Sequence, residues 1–341
     1  MARNRKPKAM SVQALVCLAA MILVASAQAP AAEADKAAGA AKHPVFWVLN
    51  SEPHLDHPES VWLGYPSKRW VKVEKKVEER VREIRRKEGR PDVAALEELR
   101  FLGRIHAREH AARKRFGHKS DLWGYVSDRA RILYGWRPVE WVLPARADPP
   151  KHQICDNGAG GGHSAENYIS GWMNSPLHKR AILWENNRWI GMSIGGKGGM
   201  AHLVFAGLPR RTSKRVNALQ PLYQALEKAE APNTVRRLLS QIVSAKEGSA
   251  FIRIAPLLRD PDPEIRILAV KGLLGIRAAV PKAFGPIFAL VDLGTASGDP
   301  EVVKESMAAL RRVTGRKFET ADEWRTWWHA DCRSIIQKAG K

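Results

Sequence analysis

An α+β domain followed by an all-α repeat array is the fold class that this 341-residue sequence predicts. Three observations carry it. Two helical patterns open the region from Val71, a pair of β-prone segments joined by a Gly-rich stretch follows, and an Asp-Pro phrase then returns at a fixed spacing among helices. Helices first and strands late, within roughly Val71–Pro209, define the α+β part. The recurring turns beyond it define a solenoid, in which each unit buries its apolar face only by stacking on neighbours.

Composition sets the outer limits. With 45% hydrophobic residues and 12 Trp the chain has material for real cores, so a disordered chain is excluded. Gly has no period and there are only 3 Cys, which excludes collagen-like and disulfide-dense scaffolds. A single long apolar run, at the N-terminus, excludes a polytopic membrane protein. The 56 Lys+Arg against 35 Asp+Glu give a net charge of +21. That excess fits an anionic partner or simply the charge style of a GC-rich proteome, because net charge argues association and solubility rather than fold.

The N-terminus reads as an export signal. Arg3, Arg5, Lys6 and Lys8 precede an apolar stretch from Ala14 to Val24, and Ala25-Ser26-Ala27 offers an A-x-A cleavage frame. Cleavage after Ala27 is favoured, since the alternative frame at Ala29 leaves Pro30 at the new terminus. The apolar core is short for a permanent anchor. The expected location is secreted or periplasmic, with no integral span after cleavage, leaving Cys155 and Cys332 as an unassigned pair of thiols or one disulfide. Residues 1–27 are thus a signal peptide and 28–70 a linker with an irregular segment. His54 and His57 there have H-x-x-H spacing but no third ligand, and read as surface loop.

Val73, Val77, Val81 and Ile84 make one apolar stripe among Lys, Glu and Arg, predicting a helix from Val71. Gly89-Arg90-Pro91-Asp92 ends it, with Asp92 as N-cap of a second helix from about Val93 to Arg115. Leu96, Leu99, Leu102, Ile105 and Ala112 mark its buried side, and His118 follows the Gly117 stop. Asp128–Tyr134 is a shorter helical piece, Arg137–Asn157 a Pro-bearing excursion and Gly158–Gly162 a flexible loop. Ser164–Trp172 and Leu177–Trp184 read as short helices around Asn174-Ser175-Pro176, and Trp189–Ile194 with His202–Ala206 as a hairpin. Arg210–Arg215 is a basic junction, after which everything is helical.

In the last third, Gly298–Val313 repeats the phrase around Asp262. Asp262/Asp299, Pro263/Pro300, Glu264/Glu301 and Leu273/Leu310 fall in register at a spacing of 37 residues. An earlier partial unit is expected within Leu219–Ser244. This region, residues 216–341, resembles HEAT repeats. Its close, Trp324-x-x-Trp327-Trp328, resembles the tail that follows such repeats in large secreted bacterial proteins, and would cap the last repeat.

Gly171-Trp172-Met173-Asn174-Ser175-Pro176-Leu177-His178 continues to Leu183 in a run that resembles the W-M-N-S-P-G-H-R-x-N-I-L signature of bacterial CAP domains. This is the superfamily of cysteine-rich secretory proteins, antigen 5 and pathogenesis-related-1 proteins. Phe116-Gly117-His118, Asp128-Arg129-Ala130, Ile190–Ile194 and His202–Gly207 resemble further landmarks of that family in the same order, placing a CAP (SCP-like) domain at residues 71–209. The resemblance implies an α-β-α sandwich whose cleft carries two His and two acids able to hold a divalent metal such as zinc. Position by position these are His118, His178, Asp156 (for the acid of a G-E-N motif) and Glu166, just ahead of the Trp172 turn. Ser175 is a further cleft candidate, although neither a base nor an oxyanion hole can be read beside it. His106, His110 and His163 read as surface or packing residues, and Trp172 as core.

The reading that follows is an exported binding or scaffold protein. Its cleft would take a small apolar or envelope ligand, and its helical repeats a protein partner of unknown identity. A secreted metal-dependent hydrolase, with a metal-bound water in the same cleft, is the alternative. Binding of an anionic polymer ranks behind both, because the Lys and Arg of Glu74–Glu88 alternate with Glu as on a solvated helix face.

Overall fold

The computed structural model describes residues 68–113, 116–120, 123–136, 139–140, 153–195 and 198–339. The chain divides into two units, Met1–His43 and Pro44–Lys341, and every described residue belongs to the second. The export signal, the linker up to residue 67 and the His54/His57 pair lie outside the described residues, as does the Cys332 side chain, while residues 68–70 already belong to the first helix and Cys155 is buried. No helix among the described residues is long and apolar enough to cross a membrane.

The Val73/Val77/Val81 stripe forms α1 (Lys68–Lys87), with Val77 and Val81 fully buried. The chain then departs from the expected helix start. Asp92 accepts a hydrogen bond from Val93 N, and Ala94–Ala95 form a short strand, β1, before α2 (Glu97–Arg113) begins. The edge of a later strand wins these residues: β1 pairs in parallel with β4 (Trp189–Gly195) at Ala94–Trp189 and Ala95–Ile190. Leu96, Leu99, Leu102 and Ile105 of α2 are buried as their spacing demands. Next come α3 (Val126–Tyr134), β2 (Val139–Glu140), β3 (Gln153–Ala159), α4 (Ala165–Met173), α5 (Pro176–Leu183) and β5 (Met200–Gly207).

The five strands run in the order β1-β4-β5-β3-β2, with β4–β5 and β5–β3 antiparallel. Strand β3 was not legible as such: it occupies ground expected to be an excursion and a flexible loop, and Gly158 and Ala159 belong to it. Side chains alternate between the two faces. Ile190, Met192, Ile194, Leu203 and Phe205 pack with α1, α4 and α5 on one side. On the other, Gly191, Ser193 and Gly195 leave room for α2 to lie close. A Cβ on Gly191 would stand 2.4 Å from Arg100 N and 2.6 Å from the Leu99 carbonyl carbon. Both are helix backbone and cannot swing away, so Gly191→Ala is expected to lower the unfolding free energy by about 1–3 kcal/mol in urea titrations.

Beyond Ile190, strand β4 has no strand neighbour on its outer edge among the described residues. Its Met192 and Ile194 amides instead donate to Glu78 Oε1 and Glu74 Oε1 of α1, each at 2.9 Å. Arg100 and Arg104 of α2 pair with the same two carboxylates. A buried row of charge therefore finishes the sheet.

The basic junction Arg210–Arg215 is itself helical. Helix α6 (Arg210–Leu226) starts within it, followed by α7 (Pro232–Ser244), a run of short helical turns over 248–259, α8 (Pro263–Ala279), α9 (Gly285–Ala289), α10 (Pro300–Thr314) and α11 (Ala321–Ala339). Asp262 and Asp299 cap α8 and α10 identically: each carboxylate accepts from the amide two residues on, at 2.8 and 2.9 Å, with Pro at the first helical position. One apolar core continues from Leu102 and Trp123 near the sheet into Phe251, Ile276, Phe288 and Trp328. Trp123 and Trp328 both pack on Phe288, with ring centroids 4.9 and 4.3 Å away.

Candidate functional site

Strands β3 and β5 set the site's frame. Asp156 lies opposite Val204 and Gly158 opposite His202 in their ladder. By alternation Asp156, Gly158 and His202 share the α2 face with Ile154 and Val204. Gly158 makes the space: a Cβ there would stand 2.8 Å from the Phe116 ring and 3.3 Å from His202 Cε1. From α2 come His106 and His110, one turn apart and so on one helix face. The His106 and His110 rings lie 3.9 Å from each other and 4.4 and 5.1 Å from the His202 ring.

Asp156 is the hub. Its Oδ2 accepts from His202 Nδ1 at 2.8 Å and its Oδ1 from His118 Nδ1 at 3.3 Å, while Arg129 Nη2 lies 3.8 Å from Oδ2. Arg129 is itself fully buried and donates through Nη1 to the Gly124 carbonyl. His118 is placed by the turn after α2, where Gly117 O meets His106 Nε2 at 3.0 Å. His178 arrives from α5, whose first residue is Pro176, and its carbonyl accepts from Asn157 Nδ2 at 3.1 Å. The His118 and His178 ring centroids are 6.3 Å apart. Trp172 is core, its indole donating to Gly158 O.

The structure thus brings three of the sequence-derived candidates together, His118, Asp156 and His178, and leaves two aside. Glu166 is exposed on α4 and pairs with Lys76 of α1 at 2.7 Å. Ser175 is the N-cap of α5, and none of the hydrogen bonds among the described residues joins its hydroxyl to an imidazole. The metal set implied by the resemblance therefore does not fit this chain. Its second acid is held elsewhere, and both oxygens of Asp156 already accept from imidazoles.

Charge follows from burial and partners. Burial alone would raise the Asp156 carboxyl, but hydrogen bonds from His118 and His202 and the nearby Arg129 hold it well below the usual carboxylate range. The bond to Asp156 raises His118 despite its partial burial. Burial lowers His178, assisted by His118. In the buried group, desolvation first, then neighbouring His and Arg charge, pushes His106 well down and His110 to about 3, and desolvation lowers His202.

His202 and the pair His106/His110 are the residues that sequence reasoning passed over. Two signals for them exist. H-x-x-x-H on a helix puts two imidazoles on one face, and His202 is a polar residue at an inward position of a strand that is buried from Ala201 on. His163, by contrast, is exposed and stacks on Trp70 with ring centroids 6.3 Å apart. Among the described residues, His106, His110 and His202 form a group whose ligand atoms all lie within 4.8 Å of one another.

Comparison with known proteins bears on the first part of the chain. Residues 79–205 match the CAP family, described as the Cysteine-rich secretory protein family, and that stretch is a CAP domain. Among solved structures, an extracellular protein containing a SCP domain from Bacillus anthracis str. Ames, determined at 1.5 Å, is similar at 17% identity and a TM-score of 0.32. The match covers 39% of this chain and 40% of that one, so this chain spans less than half of its neighbour's length. No curated protein matches.

Proposed function

We propose that this chain is an exported binding protein whose CAP domain takes a small ligand with an apolar part and a hydrogen-bonding head. One observation carries the reading. Phe116 and Leu177 are the large hydrophobic side chains left exposed among the described residues, at 56% and 48%, and each adjoins a cleft histidine in sequence. Phe116 precedes His118 by two residues and Leu177 directly precedes His178. Two exposed apolar side chains, each within two residues of a partly exposed imidazole, suit an amphiphile better than a sugar or a polyanion. Export rests on the basic, apolar and A-x-A segments ahead of Ala27.

The helical region serves, on this reading, as a HEAT-like docking surface for a protein partner. Its support is the matching Asp-Pro caps of α8 and α10 and the Arg266–Asp299 bond that ties one unit to the next at 3.0 Å from Nε. Anilinonaphthalene sulfonate, an amphiphile with an anionic head, tests the cleft directly. Saturable binding to the full chain is expected, weakened about tenfold or more in Phe116→Ser/Leu177→Ser, the scale of one buried apolar side chain. Equal affinity in wild type and the double variant would refute the assignment.

A further inference from the structure

We propose that His106, His110 and His202 form a buried site for one divalent transition-metal ion of the zinc class, with Asp156 as its positioning residue. This site is separate from the cleft pair His118/His178, and the inference does not rest on what the cleft binds.

The protonation pattern points to it. Gly117 O can only accept, so the His106 nitrogen 3.0 Å away, Nε2, carries the proton and Nδ1 is left with its lone pair. That Nδ1 is buried without a hydrogen-bond partner. The same reasoning applies to His202. A carboxylate oxygen at 2.8 Å from Nδ1 keeps the proton there and turns the Nε2 lone pair toward α2. His110 Nδ1 stands 3.2 Å from that lone pair. Two nitrogens on a tetrahedral zinc, with bonds of about 2.0–2.1 Å, are separated by about 3.3 Å, so the existing spacing already matches a ligand edge. Only a change of tautomer is needed: His110 presents Nδ1 with its proton on Nε2, and no proton leaves the protein.

Charge and donor type agree. Three neutral imidazoles suit zinc, cobalt, nickel or copper rather than calcium or magnesium, which take oxygen ligands. Glu109 Oε2 lies 3.6 Å from His106 Nδ1, too far for a hydrogen bond but near enough to favour a cation between them. The carboxylate–imidazole contact of Asp156 with His202 is the arrangement that fixes the ring and raises the basicity of a metal-bound histidine. Arg129 opposes the ion, and Asp156, 3.8 Å from its Nη2, offsets that charge.

The test uses the full chain stripped with chelator and titrated with Co2+, then Zn2+. One equivalent should bind, with the visible absorption of a low-coordinate cobalt centre, and X-ray absorption should report about three imidazole scatterers. His110→Gln and His202→Gln are expected to weaken binding at least 100-fold, while His178→Gln keeps it. Should either variant fail to fold, the cobalt spectrum and scatterer count of the wild type decide the matter. Binding lost in His178→Gln but kept in His110→Gln would move the ion to the cleft and overturn the proposal. So would a folded wild type that takes up no metal at millimolar concentration, leaving the three rings as packing.

Discussion

Glu78→Ala is expected to lower the unfolding free energy by about 3–5 kcal/mol, the cost of removing one partner from a buried charge pair. Glu78 is 1% exposed and does two jobs at once. Oε1 accepts from the Met192 amide at 2.9 Å and from Arg100 Nε at 2.8 Å, and Oε2 accepts from Arg100 Nη2 at 2.6 Å. Deleting the carboxylate orphans a buried amide of β4 and leaves the Arg100 guanidinium with Glu97 as its remaining partner. Glu78→Gln keeps one acceptor for the amide and should recover part of the loss. Urea denaturation of the two variants beside wild type checks this. An effect within about 0.5 kcal/mol in Glu78→Ala would show that water or a rearranged Glu74 can finish the strand edge. The point reaches beyond stability, because β4 pairs along its other edge with β5, and β5 carries His202.

The helices were legible because their signal is local. A stripe such as Val73/Val77/Val81 needs only a 3.6-residue period, and the Asp262 and Asp299 caps need only an Asp-Pro-Glu phrase. β1 and β3 were not legible because their reasons lie elsewhere in the chain. Ala94–Ala95 became strand by borrowing the edge of β4, about a hundred residues on, and Gln153–Ala159 by filling the gap beside β5. Gly158 looked like loop composition, yet it is glycine because Phe116 and His202 occupy the space a Cβ would need. The site divides in the same way. His118, Asp156 and His178 could be placed from a motif, since motifs preserve what is near in sequence. Glu166 could not, because a motif does not say whether Lys76 will hold that carboxylate at the surface. His106, His110 and His202 meet only when α2 packs on β5, and the small residues Gly191, Ser193 and Gly195 that permit this are silent in a hydropathy pattern.

Glu98 should make stability fall as pH rises, and Glu98→Gln should remove that slope. Its side chain is fully buried on α2 and neither carboxylate oxygen has a side-chain hydrogen-bond partner. Burial, reinforced by the charges of Glu97 and Glu247 and only partly offset by Arg253, lifts its carboxyl from 4.5 to about 7. A raised acid keeps its proton in the folded state after the unfolded chain has lost it. The associated stability is complete below pH 4.5 and is lost as pH climbs through about 7, by about 3 kcal/mol in total. Glutamine mimics the protonated acid at every pH, so the variant should match wild type near pH 4.5 and exceed it by about 3 kcal/mol at pH 8. Depressed carboxylates such as Asp156 tilt both proteins the other way, and the difference between the two curves cancels them. A difference that stays constant from pH 4.5 to 8 would mean that Glu98 is ionised throughout, with Arg253 as its counter-charge. Arg253 also bonds Glu227 at the end of α6, at 2.9 Å, so that counter-charge would be shared between α2 and the helical region.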